Sequence, residues 1–149
     1  MSKSRYNWWP FALNMIKDYP AREKELKNLH EQKITANTSG MPGGGGTSRT
    51  IENIVCRHLP RQDQREYDAV QKAIQYTQML PDSQLRIKTV NLTLWRQSHT
   101  VPGAALLLNI SERTARRDRW QFVMFVGYAY GFLTKEEYEQ EIEKDAGKK

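Results

Sequence analysis

The stretch that decides the fold is Ala104–Trp120, AALLLNISERTARRDRW. Its apolar start predicts a short helix ending at Asn109, because Asn tolerates the left-handed backbone conformation that a tight turn between helices needs. Ile110 is apolar and buries the turn, and the Ser111 hydroxyl can cap the helix that follows. Ala105 is small at the point where the two helices cross. This order of residues is typical of a helix-turn-helix.

The helix that begins after Ser111 is predicted to carry a basic flank. At about 100° per residue, Ala115 and Phe122 fall on one apolar face, which we expect to be buried. The flank turned away from that face holds Arg113, Arg116, Arg117 and Trp120. These residues lie in the first turns of the helix, where a recognition helix meets the major groove of DNA.

Arg119 departs from this pattern, because the same wheel places it inside the apolar arc. Its side chain must therefore snorkel to water or pair with an acid, unless the phase of the helix differs from the one assumed.

An arginine flank suits DNA because guanidinium groups fork onto the O6 and N7 atoms of guanine or pair with phosphate. The predicted DNA site consists of Ser111, Glu112, Arg113, Thr114, Arg116, Arg117, Trp120 and Arg96. Glu112 either accepts a hydrogen bond from cytosine or favours the helix N-terminus by its charge. Arg86 and Lys88 are expected to add phosphate contacts. The alternative is an ordinary solvated arginine face with Trp120 in the core. The turn pattern that precedes the helix favours DNA binding over this alternative.

The charge of the chain agrees with a polyanionic partner. The 149 residues carry a net charge of +6, and the pI is near 9.5. Between Gln84 and Trp120, seven Arg and Lys residues stand against two acids, so the excess is concentrated around the predicted site. The predicted partner is therefore double-stranded DNA.

Composition excludes several other classes of protein. Mean hydropathy is −0.78, and no apolar run of about 18 residues is present, so no membrane partner is expected. The N-terminus lacks the apolar core and the small-residue cleavage site of a secretory signal. One cysteine, Cys56, makes no internal disulfide, so the expected compartment is the cytoplasm.

The predicted fold class is all-α, in four parts. Residues 1–37 are an N-terminal helical region, in which Pro20 ends one helix or opens the next and gives a helical hairpin. Residues 38–50 are a flexible glycine-rich linker, because four consecutive glycines have high backbone entropy and nothing to bury. A helix-turn-helix DNA-binding domain takes residues 51–134, and an acidic C-terminal helix or tail takes residues 135–149.

Two further features mark the N-terminal region. Trp8 and Trp9 either plug the space between two helices or stack on bases or protein, and composition favours the plug. Leu26, Leu29 and Ile34 form a narrow apolar stripe amid charges, which is typical of a helix with one partner in a hairpin or a dimer. Homo-oligomerisation through these helices is therefore an expectation.

Two helices are predicted between the linker and the decisive stretch. Residues 63–80 place Tyr67 and Val70 on one face, and Pro81 stops that helix. Residues 82–97, DSQLRIKTVNLTLWRQ, alternate in a way that also suits a strand. Helix is preferred, because no partner strand is visible elsewhere in the sequence.

The stretch from Leu80 to Trp120 resembles region four of bacterial sigma factors. That pattern has Leu-Pro, a helix, a spacer, an Ala-containing helix, then Leu-x-Ile-Ser and a basic recognition helix. The matching positions are Leu80, Pro81, Val90, Leu94, Ala105, Leu108, Ile110, Ser111, Thr114 and Ala115. Asn109 departs from the usual glycine, and Arg119 replaces the usual apolar residue.

With its Trp-rich N-terminal helices, glycine linker and short length, the chain resembles the RinA/ArpU-type phage regulators, small activators of late gene transcription in phages of Gram-positive bacteria. The resemblance implies sequence-specific promoter binding, contact with RNA polymerase and a location in the host cell cytoplasm. The alternative is a phage small terminase, a DNA-packaging recognition subunit that also joins a helix-turn-helix to oligomerising helices. A large ring in solution favours packaging, and a monomer or dimer favours regulation.

The sequence predicts no enzymatic activity, no cofactor and no metal site. Cys56 and His58 offer two zinc ligands without a second pair, and no nearby acid orients them for nucleophilic catalysis. The acids after Lys135 spread around a helix and are typical of a solvated face. That helix is expected to be a solubilising tail, and the alternative is a regulatory screen folded back onto the basic flank.

Overall fold

The computed structural model describes residues 6–38 and 59–147 of the chain. Every regular element in these ranges is helical, which confirms the all-α prediction. The helices are α1 (Trp9–Thr38), α2 (Arg61–Gln78), α3 (Ser83–Val90), α4 (Val101–Leu108), α5 (Glu112–Tyr130) and α6 (Lys135–Gly147). A π-helical turn, Asn91–Trp95, extends α3, so the stretch with strand-like alternation is helical. Cys56, His58 and the predicted linker beyond Thr38 lie outside the described residues.

The hydrophobic core is built around α5. It contains Ala12, Met15, Ile16, Tyr19, Leu59, Tyr67, Val70, Ala73, Val90, Leu94, Phe122, Val123 and Val126. These residues come from α1, α2, α3, the π turn and α5, together with Leu59 before α2. The N-terminal helix therefore shares one core with the helices that carry the predicted DNA site.

The predicted N-terminal hairpin is wrong, because α1 runs without a break through Pro20. Proline removes one backbone hydrogen bond and crowds the preceding turn, which usually ends or kinks a helix. Contacts on both sides of Pro20 hold α1 together: Ile16 and Tyr19 are buried in the core, and Arg22 forms an ion pair of 2.5 Å with Glu66 of α2. Tertiary packing thus outweighs the local cost of the proline.

The aromatic residues at the start of α1 form the plug that composition favours. The ring of Trp8 stacks on Phe132, with 5.8 Å between the ring centroids. A Cβ atom placed on Gly127 would come within 2.4 Å of the Trp8 ring, so only glycine lets α5 and this ring approach so closely. Trp8 and Trp9 are both partly buried against the core.

The acidic helix α6 packs against the C-terminal part of α5. Tyr138 stacks on Tyr128 with 5.0 Å between ring centroids and meets Phe125 edge-on at 5.8 Å. Tyr6 donates a hydrogen bond of 2.6 Å to Glu141. These contacts join α6 to the C-terminal part of α5 and to the residues before α1.

None of the helices described is both long enough and apolar enough to cross a membrane.

Candidate nucleic-acid interface

The turn between α4 and α5 has the predicted geometry. Asn109 ends α4 in the left-handed conformation, with φ 56° and ψ 44°. The N–H of Ile110 donates to the carbonyl of Ala105 at 3.0 Å. Ser111 caps α5, because its Oγ accepts from the N–H of Thr114 at 3.1 Å, and its hydroxyl donates to Thr114 Oγ1 at 2.8 Å. The capped bend after Asn109 is therefore confirmed.

Three arginines of the predicted site are exposed along one side of α5. Arg113, Arg116 and Arg117 follow one another at helical spacing and all face solvent. The exposed fraction of the side chain is 67% for Arg116 and 47% for Arg117. Trp120, one turn further on, is half-buried. We call Arg113, Arg116 and Arg117 the basic flank, and its guanidinium groups are accessible to a large ligand.

The polar residues of the predicted site are engaged within the start of α5. Glu112 accepts a hydrogen bond from Arg116 and forms an ion pair with it across one helical turn. Its charge also favours the positive end of the helix dipole. Ser111 and Thr114 hydrogen-bond to each other in the cap, so their hydroxyl groups hold the helix start. Of the basic flank, Arg116 is thus held by Glu112, while Ser111 and Thr114 cap the helix that carries it.

The basic residues predicted upstream of α4 separate into two kinds. Arg96, which follows the π turn, and Lys88 of α3 are exposed. Arg86 is held inside the molecule: its Nε donates to the carbonyl of Pro81 at 3.0 Å, and its Nη1 donates to Oε1 of Gln121 at 2.6 Å. The predicted phosphate contact of Arg86 is not favoured by this geometry, because protein acceptors occupy Nε and Nη1 and only 14% of its side chain is exposed.

A buried carboxylate lies within the basic segment of α5. Asp118 is 4% exposed, and its Oδ1 lies 3.4 Å from Nη1 of Arg86 and 3.9 Å from Nε of Arg117. Burial raises the pKa of Asp118, whereas the charges of Arg86 and Arg117 oppose that rise. The sequence analysis missed this residue, although its spacing from Ala115 and Phe122 places it on the apolar side of the helix.

The burial of Asp118 also explains how Arg119 fits at the edge of the apolar arc of α5. In the first turns of α5 the buried residues are Ala115, Asp118 and Phe122, so the buried arc is centred closer to Asp118 than the sequence-based wheel assumed. Arg119 then lies at the edge of that arc and is half-buried. Burial lowers its pKa. The phase of the helix thus differs from the prediction.

The helix before the turn exposes apolar side chains. Every residue of α4, VPGAALLL, is nonpolar, and only Ala104 and Ala105 are buried. Leu106 is 84% exposed and Leu107 is 61% exposed. The sequence predicted a short apolar helix without indicating that part of it faces solvent. The candidate interface therefore joins the basic flank of α5 to an adjoining nonpolar helix.

Within residues 6–38 and 59–147, no three His, Cys, Asp or Glu side chains are grouped so that they could hold a metal ion. Comparison with protein-family models, with characterised proteins and with solved structures finds no match for this chain. Function is therefore inferred from the residues themselves and from their geometry.

Proposed function

We propose that this chain is a sequence-specific DNA-binding regulator of transcription that places α5 in the major groove of a duplex. The observation that carries the proposal is the exposed basic flank at the start of a helix that follows a capped bend. In this proposal, α4 and α5 are the two helices of a helix-turn-helix within residues 51–134, and the second of them reads DNA.

The chemistry of the basic flank fits this role. An arginine reaches the edge of guanine with two parallel hydrogen bonds, and the same fork pairs with a phosphate. Arg116 exchanges its contact with Glu112 for such a partner, at a small cost because the pair is exposed. The exposed Arg96 and Lys88 add phosphate contacts, which position the protein without reading sequence.

The role in transcription is proposed from the resemblance of Leu80–Trp120 to region four of sigma factors. That resemblance makes promoter DNA the expected target and RNA polymerase the expected second partner. The resemblance to RinA/ArpU-type regulators makes the host cytoplasm the expected location.

A binding experiment tests the basic flank directly. The wild-type protein selects its preferred duplex from a randomised library, and fluorescence anisotropy then measures affinity for that duplex over a series of salt concentrations. In the triple variant Arg113→Ala/Arg116→Ala/Arg117→Ala, we expect a loss of about 1–3 kcal/mol for each base-reading arginine. The slope of log affinity against log salt should fall by about 0.9 for each phosphate contact removed.

A matched control separates a specific interface from a general effect of charge. The variant Lys17→Ala/Lys24→Ala/Lys27→Ala removes the same charge from exposed positions of α1. We expect it to retain most of the affinity of the wild-type protein for the selected duplex. Equal losses in the two variants, or wild-type affinity in the arginine variant, would contradict the assignment of the basic flank.

A further inference from the structure

One guanidinium joins three parts of the chain beside the basic flank. The Nε of Arg86 donates to Pro81 in the loop between α2 and α3, and its Nη1 donates to Gln121 of α5. The same Nη1 faces Oδ1 of Asp118, one turn earlier on α5. We call this group, Arg86 with Pro81, Asp118 and Gln121, the Arg86 clamp. It connects α3 to the side of α5 that adjoins Arg117 of the basic flank.

The clamp is buried, which determines what it can contribute. The exposed fraction of the side chain is 14% for Arg86 and 3% for Asp118. A buried ion pair adds little net stability, because removing both charges from water offsets their attraction. The hydrogen bonds that Arg86 donates to Pro81 and Gln121 are directional, however, since the guanidinium is a planar fork with fixed donor directions. Asp118 contributes its charge, because its buried Oδ1 has no hydrogen-bond partner among the described residues. The apolar contacts of Ala115 and Phe122 on either side of Asp118 lack that directionality.

Directional contacts of this kind act on the rotation of the first half of α5 about the helix axis, in addition to the apolar packing that encloses its second half. A helix with its side chains has a radius of about 5–6 Å, so a rotation of about 15° moves the outer ends of the side chains by about 1.5 Å. Such a movement is enough to break a hydrogen bond to a base edge. All three arginines of the basic flank would move together, because they belong to one helix. Phosphate pairing tolerates the movement better, because it depends less on direction.

The clamp also reaches the basic flank itself. Oδ1 of Asp118 lies 3.9 Å from Nε of Arg117, and the side chain of Arg117 is half exposed. One carboxylate thus attracts a guanidinium held inside the molecule and a second one at the surface. The direction of the Arg117 side chain is therefore coupled to the pair that holds α5 on α3.

We propose that Arg86 and Asp118 are positioning residues of the DNA interface, which set the discrimination between duplex sequences more than the affinity for DNA in general. This inference rests on the proposed DNA-binding function. Arg86 acts through α5 and does not itself contact DNA. The preferred duplex is one whose base edges offer hydrogen-bond acceptors at the positions to which the arginines of the basic flank point.

The double variant Arg86→Met/Asp118→Leu tests the clamp, because it replaces both charges with apolar side chains and leaves neither charge unpaired. It also removes the guanidinium donor that the Pro81 carbonyl and Oε1 of Gln121 share in the clamp. Two quantities are measured: the ratio of affinities for the selected duplex and for a scrambled duplex of equal length, and the orientation of α5 relative to α3 from amide residual dipolar couplings of the free protein. We expect the ratio to fall about tenfold, the affinity for the scrambled duplex to change less than twofold, and the couplings of α5 to change.

The control removes a largely buried ion pair elsewhere, between α1 and α2. Arg22 of α1 is 14% exposed in its side chain and pairs with Glu66 of α2, which is 19% exposed. The variant Arg22→Met/Glu66→Leu should leave the affinity ratio and the orientation of α5 as in the wild-type protein. If the affinity ratio falls equally in both double variants, the effect of the clamp variant comes from a general loss of stability, and the inference is overturned.

The remaining outcomes separate this inference from the function it rests on. If the wild-type protein does not discriminate between duplexes, the proposed function fails, and the couplings alone decide whether the clamp orients α5. If the wild-type protein discriminates and the clamp variant does so equally well, the inference fails and the function stands. Arg86→Lys keeps the charge without the fork, so it should lower the ratio by an intermediate factor; it replaces the double variant if that variant does not fold.

Discussion

The two halves of α5 differ in what surrounds them. In the first half, Glu112–Trp120, only Ala115 and Asp118 are buried. In the second half, Gln121–Tyr130, the buried residues are Phe122, Val123, Met124, Val126 and Gly127. The first half therefore rests on the molecule along one side, whereas the second half is enclosed on most of its circumference.

This contrast shows how one helix can serve stability and binding at once. The enclosed second half contributes apolar burial, which is the main favourable term in folding. It anchors a first half in which Arg113, Arg116 and Arg117 stay exposed to solvent, whereas Asp118 and Arg119 are desolvated by burial. Mutations along α5 should accordingly divide into those that change the free energy of unfolding and those that change binding.

The largest expected effect is that of Phe122→Ala in the second half. Phe122 is 2% exposed and meets the ring of Trp95 edge-on at 5.8 Å. Its truncation should lower the free energy of unfolding by about 3–5 kcal/mol, because it removes apolar contacts and leaves a cavity. Urea unfolding measures the change. Arg116→Ala in the first half is the control, with an expected change within about 0.5 kcal/mol. Similar losses of unfolding free energy in the two variants would show that the two halves of α5 contribute equally to stability.

Gly127→Ala should destabilise the protein by about 1–3 kcal/mol, although alanine is the better helix former. The added Cβ atom would lie 2.4 Å from the Trp8 ring, which is rigid and stacked on Phe132. Thermal and urea unfolding measure the effect. In a Trp8→Ala background the clash is absent, and the same substitution should be neutral or stabilising by up to about 1 kcal/mol. A loss that is equal in both backgrounds would exclude the ring as its cause.

A smaller effect is expected at the start of the first half. Ser111→Ala removes the acceptor for the N–H of Thr114 and should cost about 1 kcal/mol in the free energy of unfolding. Ser111→Asp keeps an acceptor at the cap and should retain most of the stability. If Ser111→Ala and Ser111→Asp lose the same amount in urea unfolding, the cap does not stabilise the bend.

The smallest effect is a dependence on pH that comes from Asp118. Burial raises the pKa of Asp118 in the folded protein, so its contribution to stability is greatest below the pKa of the unfolded chain and declines as pH rises through the folded pKa. The free energy of unfolding of the wild-type protein minus that of Asp118→Asn should therefore fall between acid and neutral pH. Urea unfolding of both proteins over that range measures the difference. A difference that grows with pH would show that the attraction of Arg86 outweighs burial.

Local features of the decisive stretch were predicted correctly. The left-handed Asn109 and the Ser111 cap depend on residues within a few positions of each other, so a short sequence contains the interactions that form them. The exposure of Arg113, Arg116 and Arg117 also follows from helical spacing once the apolar face of α5 is known.

Features that depend on distant partners were not predicted. Pro20 remains inside a helix whose two sides are held by distant partners: Tyr19 is buried in the core, and Arg22 pairs with Glu66 of α2. Arg86 resembles any surface arginine until its acceptors at Pro81 and Gln121 are known. Local preferences for ending a helix or solvating a charge are small, and they yield to contacts that only folding brings together.

The sequence by itself determined the helical character of residues 6–38 and 59–147, the bend after Asn109 and the basic character of the helix that follows, because periodicity, capping and charge are properties of neighbouring residues. The tertiary structure alone decided which partners hold the charges that turn inward, such as Arg86 with Pro81 and Gln121. Asp118 and Arg117 are adjacent in sequence, yet one is enclosed and the other exposed. Whether a side chain of α5 is buried or exposed depends on the rotation of α5 against α3. That rotation depends on contacts between residues that lie far apart along the chain.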